Sequence, residues 1–387
     1  DKVGSDGKFT VIGESVNLAS RLTDQAKSGE TLISENVQRA LPASTSVYEA
    51  RTFQLKGFHQ PVNAYLIDDA SIQLPAAYDK TPLIGRAREL AQFRVMLDEC
   101  QSADRGQFVV LRGEAGIGKT RLCLEFADIA IASGFEFHRA LVLDFGAALG
   151  QDAIRALTLS VLGLAPEADD RDCHKSVREA VNSGAIDDGH AMHLNALLGL
   201  PQPESARVIY DALNSDLRRK GKRNVLSMII NNIARNQPQL LLIEDIHWAQ
   251  ETALETIAAI GRASVDCSIC LVTTTRLEGD PSQVLQRFGL GSIGLNTMDL
   301  RSLRPQEARE LAVGVSVTNQ DLIELCIERA EGNPLFLEQL LRNSSSASFD
   351  AVPDTVQSLV QASLDSLDLR DREALQLASA MGQRLEI

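Results

Sequence analysis

Residues 113–120 read Gly-Glu-Ala-Gly-Ile-Gly-Lys-Thr, the pattern G-x4-G-K-[ST]. Glycines let backbone N–H groups close around phosphate oxygens, and a helix beginning there adds partial positive charge. In that pattern Gly113, Gly116 and Gly118 line the phosphates and Lys119 reaches the β- and γ-phosphates. Thr120 offers its hydroxyl to Mg²⁺. A second set of candidates lies in Leu-Leu-Leu-Ile-Glu-Asp, an apolar run closing on Glu244 and Asp245. Carboxylates at the end of such a strand sit where a parallel sheet binds ligands. Glu244 takes the metal-shell position and Asp245 that of the acid activating water. A third set is Asn17 and Arg21, four apart on an expected helix over about 14–27. Their amide and guanidinium suit a sugar hydroxyl and a phosphate, or else form an ordinary solvated face.

These residues need elements to position them. Gln-Phe-Val-Val-Leu before the glycine-rich loop predicts a strand, and Leu122, Phe126 and Ile129 after it share one helical face. Further strands are predicted over 137–145, 239–246 and 268–276, with helix over most of 150–235 and from about Leu303 onward. Strands alternating with helices imply a parallel sheet wrapped by helices. On the helix near the start, Val16, Ala19, Leu22 and Ala26 make the apolar arc, opposite Asn17 and Arg21. Residues 53–67 read as two short strands around Lys56 and Gly57, and residues 69–81 as a linker.

The 387 residues carry a net charge of −14, nearly all of it after residue 70. That balance speaks against nucleic-acid binding by these segments. The basic cluster Arg218, Arg219, Lys220, Lys222 and Arg223 reads as a solvated helix–loop junction. No apolar run reaches the length of a membrane helix. Cys267 and Cys270 lack a second pair, which argues against zinc, and are expected within one strand; reduced thiols fit a cytoplasmic protein. His190 and His193 are read as helix-surface residues.

Five segments occur in a fixed order: PLIGR, GEAGIGKT, LLLIEDIHWA, VTTTR and EGNPLFLEQLL. Together they resemble the STAND-type signal-transduction ATPases, relatives of the AAA ATPases, over roughly 82–387. The resemblance implies that Arg276 reads the γ-phosphate, that Pro334 lies against the adenine, and that Arg86 stands near the nucleotide. It also implies a switch between ADP-bound and ATP-bound forms, with slow hydrolysis at most.

The opening segments VIGESVNLASRLTDQAKSGETLISE and LKGFHQPVNAYLI resemble the C-terminal portion of a class III adenylyl/guanylyl cyclase domain, over residues 1–68. By that resemblance Asn17 orients the ribose, Arg21 stabilises the pentavalent phosphate, and Thr10 selects adenine. The family's two metal-binding aspartates and its adenine-contacting lysine belong upstream of this helix, and its sites are shared between two cyclase domains. The expectation is therefore a fragment that makes no cAMP by itself, from a homodimeric parent that does.

The expected fold is α/β: a P-loop NTPase parallel sheet with a helical lid, preceded by a partial α+β cyclase domain. The expected organisation is a cyclase segment over 1–68, linker 69–81, ATPase core 82–295, helical lid 296–348, and the start of a winged-helix region over 349–387. The expected function is that of an adenylate cyclase segment with a regulatory, ATP- and Mg-binding module. Two other classes are a signalling ATPase with a cyclase remnant, and an ATP-dependent transcription regulator.

Overall fold

A computed structural model describes residues 22, 31–35, 47–54, 62–67, 83–143, 150–166, 168–290, 295–313 and 319–344. The chain divides into two compact units, one of Asp1–Thr81 with Val360–Ile387 and one of Pro82–Leu359. Thr10, Asn17 and Arg21 lie outside the described residues.

The first unit contains a three-stranded antiparallel sheet. Its strands are β1 (Thr31–Ser34), β2 (Val47–Phe53) and β3 (Val62–Ile67), with β3 in the middle. Helical Leu22 packs with Leu32 and Ala64 beneath this sheet, against Phe53, Val62 and Leu66.

The second unit is built on five parallel strands: β4 (Gln107–Arg112), β5 (Glu136–Leu141), β6 (Gln239–Glu244), β7 (Ile269–Thr275) and β8 (Leu295–Asp299). Their order is β5-β6-β7-β4-β8. Every residue of β6 and β7 is buried. That is why each carries an unbroken apolar stretch, Leu240–Ile243 and Ile269–Val272: a parallel strand covered on both faces has no solvent side to alternate with. The period of two survives only in which core each residue enters. Val110, Leu241, Ile243 and Leu271 face one core, and Val109, Leu111, Leu240, Leu242 and Val272 face the other.

Helices α1 (Ala87–Ser102) and α2 (Lys119–Ala132) cover the second of these faces, where Phe93 and Phe126 stack with ring centroids 3.9 Å apart. The first face is covered by α3 (Gln151–Val161), α4 (Asp170–Asn182), α5 (Asp188–Leu198), α7 (Ser215–Ala234) and α8 (Glu251–Ala263). Helix α6 (Glu204–Ala212) precedes α7, and α9 (Ser282–Arg287) follows β7. A third core joins α10 (Pro305–Val313), α11 (Gln320–Ala330) and α12 (Pro334–Ser344) through Leu311, Cys326, Leu337 and Leu341.

Several expectations are corrected. The strand expected over 137–145 ends at Leu141, and that over 239–246 gives way to a 3-10 turn, Ile246–Trp248. Strand β8 runs across the 295/296 boundary expected between core and lid. It is an edge strand with only Met298 buried, so its apolar signal was too thin to read. Cys267 precedes β7 and does not share it with Cys270. His193 is a buried residue edge-on to Tyr210, with centroids 5.7 Å apart. The basic cluster is largely engaged within the fold. Arg218 donates to the carbonyls of Tyr210 and Asp211, Arg219 pairs with Asp216, and Arg223 stands 2.5 Å from Glu255.

At the carboxyl edge of β4, Arg112 bridges Asp280 at 2.8 Å and Asp299 at 2.7 Å. Its hydrogen bonds hold the Asp299 carboxyl below the ordinary carboxylate range. A depressed folded-state pKa means stabilisation that is complete above the unfolded value, about 3.9, and is lost as pH falls through the folded one. Half-exposed as Asp299 is, the pair contributes at most about 1 kcal/mol. Replacing Asp299 by Asn is expected to lower the thermal midpoint at pH 7. The gap to the parent chain closes on acidification below about pH 4, as thermal melts across pH would record.

Candidate nucleotide-binding site

The loop between β4 and α2 is tied down carbonyl by carbonyl. Lys119 Nζ donates to the Gly113 carbonyl at 2.9 Å and to that of Glu114 at 3.0 Å. Asn333 Nδ2 donates to the Ala115 carbonyl at 2.9 Å, and the Leu335 N–H to that of Gly116 at 3.3 Å. Arg86 Nη2 donates to the Ile117 carbonyl at 3.0 Å. Where the loop leaves β4 it is held by two more bonds, Gly113 N–H to the Thr275 carbonyl and Leu300 N–H to the Arg112 carbonyl.

Two glycines have separate reasons to be glycine. Gly116 has φ +77°, and a Cβ there would lie 2.8 Å from Asn333 Oδ1 and 3.1 Å from Leu335 Cβ. Gly118 has φ +96° and is the N-cap of α2, with open space where a Cβ would stand. Helices α4, α5 and α7 are capped by the side chains of Asp169, Asp187 and Asn214. The start of α2, like those of α1, α3, α6, α8 and α9, has no side-chain cap, and it has no acidic residue in its first turn.

Lys119 is buried, and burial pulls its ammonium below the ordinary lysine range. The charge of Asp245 opposes that shift, and Arg276 adds to it. Asp245 follows β6 in the left-handed region at φ 56°, where its N–H donates to Thr274 Oγ1 at 2.9 Å. That conformation costs about 1 kcal/mol and holds the aspartate at the sheet edge. Arg276 lies one residue past β7, with its guanidinium 5.3 Å from the Trp248 ring centroid. Thr120 stands in the first turn of α2 and Pro334 opens α12, beside the two residues that bind the loop.

Two expected site residues stand differently from their sequence reading. Arg86 is only 5% exposed and is engaged with the Ile117 carbonyl and Glu89, so it meets the site through the loop backbone. Glu244 is 1% exposed, and Arg139 from β5 holds its Oε1 at 2.7 Å through both Nε and Nη2. It would reach a metal only through Oε2 or after release of Arg139. No group of three or more His, Cys, Asp or Glu side chains placed to hold a metal occurs among the described residues. A Mg²⁺ here would be of the kind carried on substrate phosphates, with one hydroxyl and one carboxylate from the protein.

Asn333 and Arg139 are the residues that sequence reasoning missed. Asn before Pro334 is a legible helix start. Its bond to a loop 218 residues away has no local signature.

Comparisons with known proteins accord with this geometry. Residues 82–272 match the family described as AAA ATPase domain. An uncharacterized protein of Rhizobium meliloti (strain 1021) is 24% identical over 361 residues, covering 90% of this chain and 33% of its own length. Adenylate cyclase type 10 of Rattus norvegicus is 22% identical over 354 residues, covering 87% of this chain and 21% of its own length. The chain therefore spans a third or less of these relatives. Among solved structures, a STAND protein with a tetratricopeptide repeat sensor from Pyrococcus horikoshii is 17% identical. It covers 75% of this chain and 33% of its own, with a TM-score of 0.40. The segment matched by the family is an AAA-type P-loop ATPase module.

The Gly116 contact yields a prediction. Gly116→Ala adds both positive-φ strain and a clash with Asn333, whereas Gly184→Ala meets the same strain at φ +73° with nothing within 4 Å. Strain alone costs about 1 kcal/mol. Thermal melts should show Gly116→Ala losing more stability than Gly184→Ala, the difference measuring the contact between the loop and the start of α12.

Proposed function

We propose that this chain is a segment of an adenylate cyclase, and that residues 82–344 are its ATP-binding regulatory module. One observation carries the ATP assignment. The Lys119 ammonium is desolvated, held by two carbonyls of its own loop, and set in the field of Asp245 and Arg276. A cation whose charged form is penalised by burial gains from a phosphate that offsets the penalty.

The roles follow from position. The N–H groups of the loop and the open start of α2 bind the β- and γ-phosphates, with Lys119 neutralising their charge. Thr120 would hold Mg²⁺, with Glu244 as its carboxylate once Oε2 is presented. The metal supplies charge neutralisation on the same phosphates. Asp245 orients the attacking water, and Arg276 senses the γ-phosphate. Pro334 stands at the lid edge for the base. Arg86 supports the nucleotide through Ile117. The module acts as a switch between ATP and ADP with slow turnover.

The cyclase assignment rests on the opening residues and is supported by the reach of the adenylate cyclase type 10 match. That match covers more of the chain than residues 82–387 contain, so it extends into the first unit. In the whole protein Thr10, Asn17 and Arg21 serve one cAMP-forming site completed by a second cyclase domain. Among the described residues no helix is long and apolar enough to cross a membrane.

Two measurements test these assignments. Lys119→Ala should weaken ATP binding, read by calorimetry, by about 10- to 100-fold, the value of one charge-assisted bond. Unchanged affinity would remove the site. In the full-length protein, Asn17→Ala and Arg21→Ala should each cut cAMP formation by about 10²-fold or more, as for lost transition-state donors. A full-length variant retaining its cyclase rate would leave the ATPase module standing and overturn the cyclase role.

A further inference from the structure

The five bound carbonyls of residues 113–117 fix more than the loop's path. In a trans peptide the C=O of one residue and the N–H of the next point in opposite directions. Each held carbonyl therefore turns the N–H of its own peptide away from the donor that holds it: the Gly116 N–H away from Asn333 and the Gly118 N–H away from Arg86, while the Ile117 N–H turns back to the Glu114 carbonyl at 3.4 Å. Lys119 supplies the first two holds from within the loop, and Arg86 the last from the segment before α1. The hold on Ala115, and with it the direction of the Gly116 N–H, comes from Asn333 in the lid.

Asn333 uses both ends of its amide. Oδ1 accepts the Phe336 N–H at 3.2 Å and so caps α12, while Nδ2 donates to the Ala115 carbonyl at 2.9 Å. Its own backbone N–H donates to the Ala330 carbonyl at the end of α11, and its carbonyl accepts from Leu337 in α12. The neighbouring Gly332 carbonyl accepts the Leu303 N–H, and Leu335 binds Gly116. One side chain is thus rigidly fixed in the lid and aimed at the loop.

We propose that Asn333 is a positioning residue that couples docking of the α10–α12 lid to the phosphate cradle. With Asn333 docked, the Ala115–Gly116 peptide is held with its N–H toward the phosphates. With the lid withdrawn that peptide is free to turn, and the cradle loses a preorganised donor. Linkage makes the effect reciprocal: nucleotide in the loop favours the docked lid by the factor by which docking favours nucleotide. This rests on the nucleotide site proposed above, and the test separates the two.

The test compares Asn333→Ser with Asn333→Leu in this chain. Serine retains an N-cap acceptor but cannot span to Ala115; leucine removes cap and latch together. Both should weaken binding of Mg-ATP, read by calorimetry, roughly tenfold, the worth of one lost hydrogen-bond donor. Only Asn333→Leu should lower the thermal midpoint appreciably. In Asn333→Ser without nucleotide, amide exchange over residues 114–118 should speed up while that of β4 and the body of α2 stays unchanged. A purely structural cap would move the thermal midpoint and leave loop exchange alone. Unchanged ATP affinity in Asn333→Ser, with Lys119→Ala defective, overturns the coupling and spares the site. If Lys119→Ala also binds normally, the site and the coupling fall together.

Discussion

A loop that offers its N–H groups to an anion must have its carbonyls held elsewhere, and the second unit is organised around meeting that demand. A carbonyl shut away from water without a donor is costly, as it would be at buried Gly113 and Ile117, whereas Glu114 and Ala115 lie at the exposed turn of the loop. Here the donors come from three places far apart in the chain: Arg86 before α1, Lys119 in the loop itself, and Asn333 with Leu335 at the start of α12. The sheet sets where the loop begins through the bonds of Gly113 to Thr275 and of Leu300 to Arg112. The lid belongs to the loop's scaffold in the same sense as β4 or α2.

The carboxyl edge of the sheet applies a related logic to charge. The strand order puts β7 between β6 and β4, so the acids closing β6 stand one strand away from the glycine-rich loop. Glu244 is neutralised by Arg139 from the edge strand β5, and Arg112 is held between Asp280 and Asp299 on the other flank. The charges acting on Lys119 are those of Asp245, Arg276 and Glu114. In a chain of net charge −14, such pairing lowers the repulsion among the acids of the sheet edge.

Two positions show how a motif can be right about a residue and incomplete about its reason. Gly116 belongs to the phosphate-loop pattern, yet a side chain there would meet, besides the strain of its positive φ, Asn333 and Leu335 at the start of α12. Arg86 belongs to the opening motif, yet its guanidinium is buried on the Ile117 carbonyl. Both are nearer to loop mechanics than to the ligand.

What the sequence determined by itself was local or compositional. Gly-x4-Gly-Lys-Thr between an apolar strand and an amphipathic helix marks a strand–loop–helix unit, because glycine placement and helix periodicity act over a few residues. The buried stretches Leu240–Ile243 and Ile269–Val272 were legible because strands covered on both faces read as apolar runs without alternation. Strand β8 was not legible, since an edge strand with one buried residue carries almost no pattern. Neither was the pairing of Glu244 with Arg139, nor the hold of Asn333 on Ala115, 105 and 218 residues apart. Hydrogen bonds between distant segments leave no periodicity in either partner. Only the packing of lid and sheet decided which donors reach which carbonyls, because that depends on where whole elements come to rest.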